Sequence, residues 1–125
     1  KITVFGGQQT RPNIHMNDMI GVYLHFLKLG GKAPGIYNAG FENISILDIA
    51  KKVTKHVPAE IEITESNDPR SYRQNSDKLL GTGFTPAYSV DHGIKDLIDS
   101  YNAGKLEDED CYYNIRSMKK IFNIK

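Results

Sequence analysis

The alternation of apolar and polar residues at the start of the chain predicts a short strand followed by an amphipathic helix. The strand covers residues 2–5 and runs into a glycine pair. A polar turn and an extended segment then lead to a helix predicted over residues 18–29, with Asn17 as its N-cap. Helical spacing predicts one buried stripe on this helix, formed by Ile20, Tyr23, Leu24 and Leu27.

The middle of the chain predicts two further strands around a second helix. Residues 36–39 form an apolar run between glycines that is too short to stand alone at a sheet edge. Ser45 and Asp48 make an S-x-x-D capping pattern that starts the second helix. Alternation returns over residues 60–64, where Ile61 and Ile63 alternate with polar residues, and predicts a half-buried strand. The buried stripe of the second helix is expected to consist of Ile46, Ile49, Ala50 and Val53.

The last third of the chain contains a polar loop, one helical turn and a third helix. The loop covers residues 66–75, and the turn covers residues 77–81 with Ser76 as its predicted cap. The third helix is predicted over residues 90–103 with Ser89 as its cap, and its apolar face holds Ile94, Leu97, Ile98 and Tyr101. Three helices and three separated strands indicate an α/β chain whose sheet is incomplete.

Composition and charge remove several classes of function. The 125 residues carry a net charge of +1, which gives no basis for nucleic-acid or anionic-membrane binding. No apolar run approaches the roughly 20 residues of a membrane span. Cys111 is the single cysteine, which favours a reducing compartment and a cytoplasmic location. The chain starts at Lys1 within a predicted strand, so we expect it to be part of a longer protein.

Self-contained catalytic motifs are missing from the sequence. The glycine pair does not match G-x-G-x-x-G, and the four histidines lack metal-ligand spacing. Of these, only His15 lies where a site is expected. Tyr101 and Lys105 match Y-x-x-x-K, but Gly104 is expected to end the helix between them. Because the lysine must lie one helical turn from the tyrosine to lower its pKa, we interpret this match as coincidence.

Arginines in loops are the remaining candidates for chemistry. Arg11 precedes Pro12, which biases its backbone towards an extended conformation. Arg70 and Arg73 lie in the polar loop on either side of Tyr72. Two guanidinium groups that meet at one place can bind a diphosphate through bidentate hydrogen bonds. The alternative is that these arginines lie in two unrelated solvated loops.

Five segments follow one another along the chain: GGQQTRPNIHMNDM, IYNAG, SILDIAKKV, DPRSYRQNSDKLLGTGFTP and SVDHGIKDLIDSY. Taken together and in this order, they resemble the C-terminal portion of the extended short-chain dehydrogenases. That family includes the NAD(P)-dependent nucleotide-sugar epimerases and dehydratases. The resemblance implies a Rossmann-type parent and a substrate-binding region over residues 1–104. Residues 105–125 then form a charged linker and a C-terminal tail with enough apolar side chains to dock on another surface.

The resemblance also implies roles for particular residues. Arg11 matches the family's arginine that contacts the substrate diphosphate. Glu65 stands where the family has its second phosphate arginine, so Arg70 is expected to take that place. Gln9 and Tyr72 are expected as further substrate contacts. The family's catalytic residues and cofactor glycines precede the matching region, so no catalytic, cofactor-binding or metal-binding residue is expected here.

The parent enzyme implied by the resemblance uses NAD or NADP and a nucleotide-diphosphate sugar. It would be an epimerase, a dehydratase or a reductase, and usually a homodimer. The present chain would need the N-terminal dinucleotide-binding half for activity and would be inactive alone. The alternative is a non-catalytic protein-interaction module on a degenerate version of the same scaffold.

Overall fold

The computed structural model describes residues 1–122 and contains two short sheets and five helices within that range. The elements in order are β1 (Ile2–Phe5), β2 (Thr10–Asn13), α1 (Met16–Leu29), β3 (Glu42–Ser45), α2 (Ile46–Thr54), β4 (Ile61–Thr64), α3 (Asp77–Leu80), α4 (Val90–Asn102), a 3₁₀ turn (Asp110–Tyr112) and α5 (Asn114–Phe122). Two units divide the chain at the middle of α4, Lys1–Lys95 and Asp96–Lys125. The last three residues of the predicted tail lie outside the described residues.

Each sheet has two strands. β1 and β4 are parallel, with Val4 opposite Ile63. β2 and β3 are antiparallel, with Arg11 opposite Ile44. A parallel pair normally belongs to a larger sheet with both faces covered. The architecture is therefore mixed α/β with incomplete sheets, as the sequence predicted.

The first unit has a small core around β1. Its buried apolar side chains come from one strand and four helices, and they are Val4, Val22, Ala50, Leu79 and Ile94. α2 packs against β1, and Leu47 lies close to the turn that follows this strand. The cap predicted for α2 is confirmed, because the Ser45 hydroxyl accepts the Asp48 amide N–H at 3.1 Å.

Helix α1 begins earlier than predicted. His15, not Asn17, is the N-cap residue, since its backbone is extended and its Nδ1 accepts the Asn17 amide N–H at 3.2 Å. The prediction of Asn17 as the cap was therefore wrong. Gly30 ends the helix in the left-handed conformation, at a φ of 57°, as expected for a glycine C-cap.

The stripe predicted on α1 faces outward in this chain. Ile20, Tyr23, Leu24 and Leu27 are all at least half exposed, and Leu27 reaches 76%. Asp18 and Val22 are buried instead, and Phe84 lies against the same side at Gly21. The periodicity identified an apolar face of the helix, but the prediction that this face is buried in the chain was wrong. The side of α1 that packs on the rest of the unit contains Asp18 and Val22 instead.

Residues 36–39 do not form the predicted strand. Lys78 donates to the Ile36 carbonyl at 2.9 Å, and the Ser76 hydroxyl pairs with both backbone groups of Gly40 at 3.0 Å. The Ile36 side chain is 87% exposed. An extended segment becomes a strand only beside a partner, and β3, which was not predicted, pairs with β2 instead.

Two expectations about the later helices also need correction. Ser76 precedes α3, but its side chain makes no cap because it is bonded to Gly40. On α4, Ile94 is buried, whereas Leu97 and Tyr101 are 63% and 71% exposed. The helix ends at Asn102 and Gly104 has a φ of 66°, which separates Tyr101 from Lys105 as predicted.

Candidate functional site

The polar loop 66–75 folds back onto the start of β2. The Tyr72 amide donates to the Thr10 carbonyl at 3.2 Å, and the Thr10 amide donates to the Ser71 hydroxyl at 3.0 Å. This pairing uses backbone groups of β2 that β3 does not satisfy. It brings the loop arginine beside the arginine of the strand, although about 60 residues separate them along the chain.

Asp68 forms a two-point ion pair with Arg70. Its Oδ1 accepts Nε–H of Arg70 at 2.7 Å, and its Oδ2 accepts an Nη2–H at 2.8 Å. The same Oδ1 accepts the backbone N–H of Arg70 at 3.1 Å, which closes an Asx turn across Pro69. This is the fork-to-carboxylate geometry by which guanidinium groups also bind phosphate.

Arg11 approaches the same carboxylate from β2. Its Nη2 lies 3.4 Å from Oδ2 of Asp68. Its Nη1 donates to the Thr10 carbonyl at 3.0 Å and to the Arg70 carbonyl at 2.5 Å. The guanidinium also lies over the ring of Tyr72, with 4.8 Å between Cζ and the ring centroid. These contacts hold the Arg11 side chain in one orientation.

Gln9 completes the group from the turn before β2. Its Nε2 donates to the carbonyls of Phe5 and Asp68, each at 3.2 Å. Its Oε1 is buried and has no hydrogen-bond partner. The structure thus places all four residues predicted as substrate contacts, Gln9, Arg11, Arg70 and Tyr72, at one location.

The electrostatics of this group depend on one acid between two bases. The pKa of Asp68 is well below its ordinary value, chiefly because the Arg70 side chain donates to the carboxylate, with Arg11 adding a smaller effect. The pKa of Arg70 is raised by the same pair. Asp68 therefore remains ionised at neutral pH, and the two arginines and Asp68 together carry one net positive charge.

Two open grooves border Asp68. One, of about 710 Å³, is lined by Phe5 and by the stretch from Glu65 to Arg70. The other, of about 380 Å³, lies between the glycine turn and the loop, and Gln9 and Ser71 are among its lining residues. Pocket volumes of several hundred Å³ are typical of small-molecule sites. The ionic group therefore lies beside space that a ligand can enter.

Sequence reasoning missed Asp68 and Ser71. A local signal for the first was present, since Asp-Pro favours an Asx turn and places the carboxylate near the residue two positions on. No local signal marked Ser71, because its hydroxyl matters only through a backbone group of β2. His15, the histidine considered near a site, caps α1 and stacks on Tyr88 at 4.5 Å.

The glycine turn does not provide a dinucleotide cradle. Gly6 and Gly7 have φ values of 77° and 92°, so they are used for a tight turn. The space over Gly6 is filled by the Gln9 side-chain amide, which a Cβ at this position would meet. β1 is followed by a strand and not by a helix whose N-terminus could receive a pyrophosphate. NAD or NADP thus does not fit this turn.

Residues 1–122 contain neither a metal-binding cluster nor a helix that could span a membrane. Within this range, no three His, Cys, Asp or Glu side chains are grouped to hold a metal ion. The helices described here are all too short or too polar to cross a bilayer.

Comparison with known proteins shows similarity to a dehydratase. The chain is 34% identical over 109 residues to a protein named dTDP-D-glucose 4,6-dehydratase from Bos taurus. The match covers 76% of this chain and 30% of the relative, so the chain spans less than a third of the relative's length. No family model matches the chain. The sequence resemblance therefore agrees with a relative among the dehydratases, and the incomplete sheets are compatible with part of such a protein.

Proposed function

We propose that this chain is the nucleotide-sugar-binding part of an NAD(P)-dependent sugar epimerase, dehydratase or reductase. Arg11 and Arg70 bind the diphosphate of the substrate, and Gln9 and Tyr72 support them. The observation that carries this proposal is the meeting of two guanidinium groups at the Asp68 carboxylate, beside an open groove. Similarity to a protein whose name specifies a nucleotide-sugar dehydratase supports the substrate class.

The contribution of this region is to hold the substrate while another part of the protein carries out the chemistry. Arg11 is fixed by two carbonyls and by the Tyr72 ring, so little side-chain entropy is lost when it binds an anion. An anchored diphosphate restricts the position of the attached sugar, which lowers the entropic barrier of the later step. When bound, the nicotinamide cofactor supplies hydride transfer, and it binds outside the residues described here.

The exposed side of α1 supports a requirement for the N-terminal half. Ile20, Leu24 and Leu27 form an apolar stripe one helix face wide, and each is at least half exposed. Beside it, an apolar groove of about 450 Å³ lies between α1 and residues 33–39. The segment 36–39, which was predicted as a strand, borders this groove. A neighbouring strand from the N-terminal half would pair with residues 36–39 and cover the helix.

Binding experiments with arginine variants test the proposal. Calorimetric titration of the chain with dTDP-glucose, followed by other nucleoside-diphosphate sugars, measures affinity directly. We expect Arg11→Ala and Arg70→Ala each to weaken binding by at least tenfold, because each removes a charge-assisted contact to phosphate. In the full-length parent, the same changes should raise KM for the nucleotide-sugar.

Arg116→Ala is the matched control. Its guanidinium also pairs with an aspartate, Asp110, and lies over a tyrosine ring, Tyr113, but these residues belong to the tail. We expect this variant to bind as the unmodified chain does. If Arg11→Ala and Arg70→Ala also leave binding unchanged, the proposed clamp is wrong and the protein-interaction module becomes the better assignment.

A further inference from the structure

We propose that Asp68 is a built-in competitor for the anion site, so that a diphosphate binds by replacing its carboxylate on Arg11 and Arg70. The inference rests on the proposed function and adds a residue that tunes its affinity. Both carboxylate oxygens already face guanidinium groups, at 2.7 and 2.8 Å from Arg70 nitrogens and at 3.4 Å from Arg11. A phosphate oriented by the same nitrogens would need the same positions.

The Asp68 carboxylate can move away from the two guanidinium groups while the backbone of loop 66–75 stays anchored. The backbone around Asp68 is anchored by Gln9, which donates to the Asp68 carbonyl. Ser71 and Tyr72 are tied to Thr10. Among residues 1–122, in contrast, the hydrogen bonds to the side-chain oxygens of Asp68 come only from Arg11 and Arg70. Rotation of this one side chain would therefore free the guanidinium nitrogens that Asp68 occupies, Nε and Nη2 of Arg70 and Nη2 of Arg11.

The Asp68 carboxylate competes with an anionic ligand in its ionised form, and a change of pH near neutrality does not alter its charge. Two guanidinium groups face this carboxylate and keep its pKa below the ordinary range, so it stays charged under working conditions. A single carboxylate has one negative charge, whereas a diphosphate group presents two adjacent ones to two cations. The diphosphate can displace the carboxylate, and part of the binding free energy is used to break the internal pair.

Asp68→Asn tests this inference with little disturbance of the loop. Asparagine keeps an Oδ1 that can accept the Arg70 amide N–H, which Asp68 accepts at 3.1 Å, but it removes the negative charge. With thymidine diphosphate as the probe in calorimetric titration of the whole chain, we expect affinity to increase about three- to tenfold. Asp68→Ala should give at least the same increase.

Glu65→Gln is the control for charge alone. Glu65 is exposed, lines the same groove as Asp68, and makes no contact with either arginine. Removing its charge should increase affinity less than twofold. Equal gains from Glu65→Gln and Asp68→Asn would overturn the inference, because the effect would then come from the general potential and not from a contact.

The arginine variants separate failure of this inference from failure of the proposed function. If Arg11→Ala and Arg70→Ala weaken binding while Asp68→Asn leaves it unchanged or weakens it, the clamp stands and Asp68 is not a competitor. If thymidine diphosphate binds no variant, or binds the arginine variants unchanged, the proposed function fails and this inference fails with it. Circular dichroism of each variant verifies that the chain remains folded.

Discussion

Replacement of Asp18 by alanine should remove the main polar link between α1 and the segment that precedes α4. Asp18 is 4% exposed, and its two carboxylate oxygens accept the backbone N–H groups of Ala87 at 2.9 Å and Tyr88 at 3.0 Å. Alanine leaves both buried N–H groups without an acceptor and opens space beside Val22. This is the situation in which a lost hydrogen bond costs most.

The magnitude follows from these two contacts. A hydrogen bond to a charged group contributes about 1.5–3 kcal/mol, and the two bonds share one carboxylate, so we expect a loss of about 3–5 kcal/mol in the free energy of unfolding. With a urea dependence of about 1–2 kcal/mol per M for a chain of this size, the unfolding midpoint should fall by roughly 2 M or more. Asp18→Asn keeps one acceptor oxygen and should lose about half as much.

Equilibrium urea unfolding followed by circular dichroism measures these losses, and amide hydrogen exchange measures the contacts themselves. Exchange at Ala87 and Tyr88 should accelerate in both variants. Asp48→Ala is a suitable control, because Asp48 also lies in the first turn of a helix but is exposed. If Asp18→Ala destabilises the chain no more than Asp48→Ala does, the carboxylate does not hold this segment and the argument is refuted.

Two further predictions concern the glycine turn and the ion pair. Gly6→Ala should destabilise the chain by about 1–2 kcal/mol, because φ is 77° and the new Cβ would displace the Gln9 amide. Gly30→Ala has open space at its Cβ position and should cost only about 1 kcal/mol of backbone strain. Equal losses in urea unfolding would contradict a steric clash between the new Cβ and Gln9. The pKa of Asp68 in the folded chain is lowered chiefly by Arg70. The ion pair therefore stabilises the fold fully at a pH above the unfolded-state pKa of about 3.9. This stabilisation is lost as the pH falls through the lower pKa of the folded chain. The difference in urea midpoint between the unmodified chain and Asp68→Asn should accordingly shrink below about pH 4, and a difference that stays constant at lower pH would exclude the ion pair as its source.

Local chemistry is what the sequence by itself determined. The S-x-x-D cap at Ser45 is formed, and the strands predicted at residues 2–5 and 60–64 appear as β1 and β4. Each depends on hydrogen bonds or steric limits within a few residues, so the neighbouring sequence contains the required information. The position of the arginines in predicted loops also indicated which of them to consider.

Tertiary structure alone decided which surfaces face each other. The sequence of α1 shows a clear apolar stripe, yet the buried side of the helix is the one that contains Asp18. On that side the Asp18 carboxylate accepts a hydrogen bond from the backbone N–H of Ala87, a residue distant in the chain. Arg11 and Arg70 meet only because loop 66–75 uses unpaired backbone groups of β2. Residues 36–39 lack a partner strand and so remain irregular. These outcomes depend on groups distant in the chain, and periodicity does not encode such pairings.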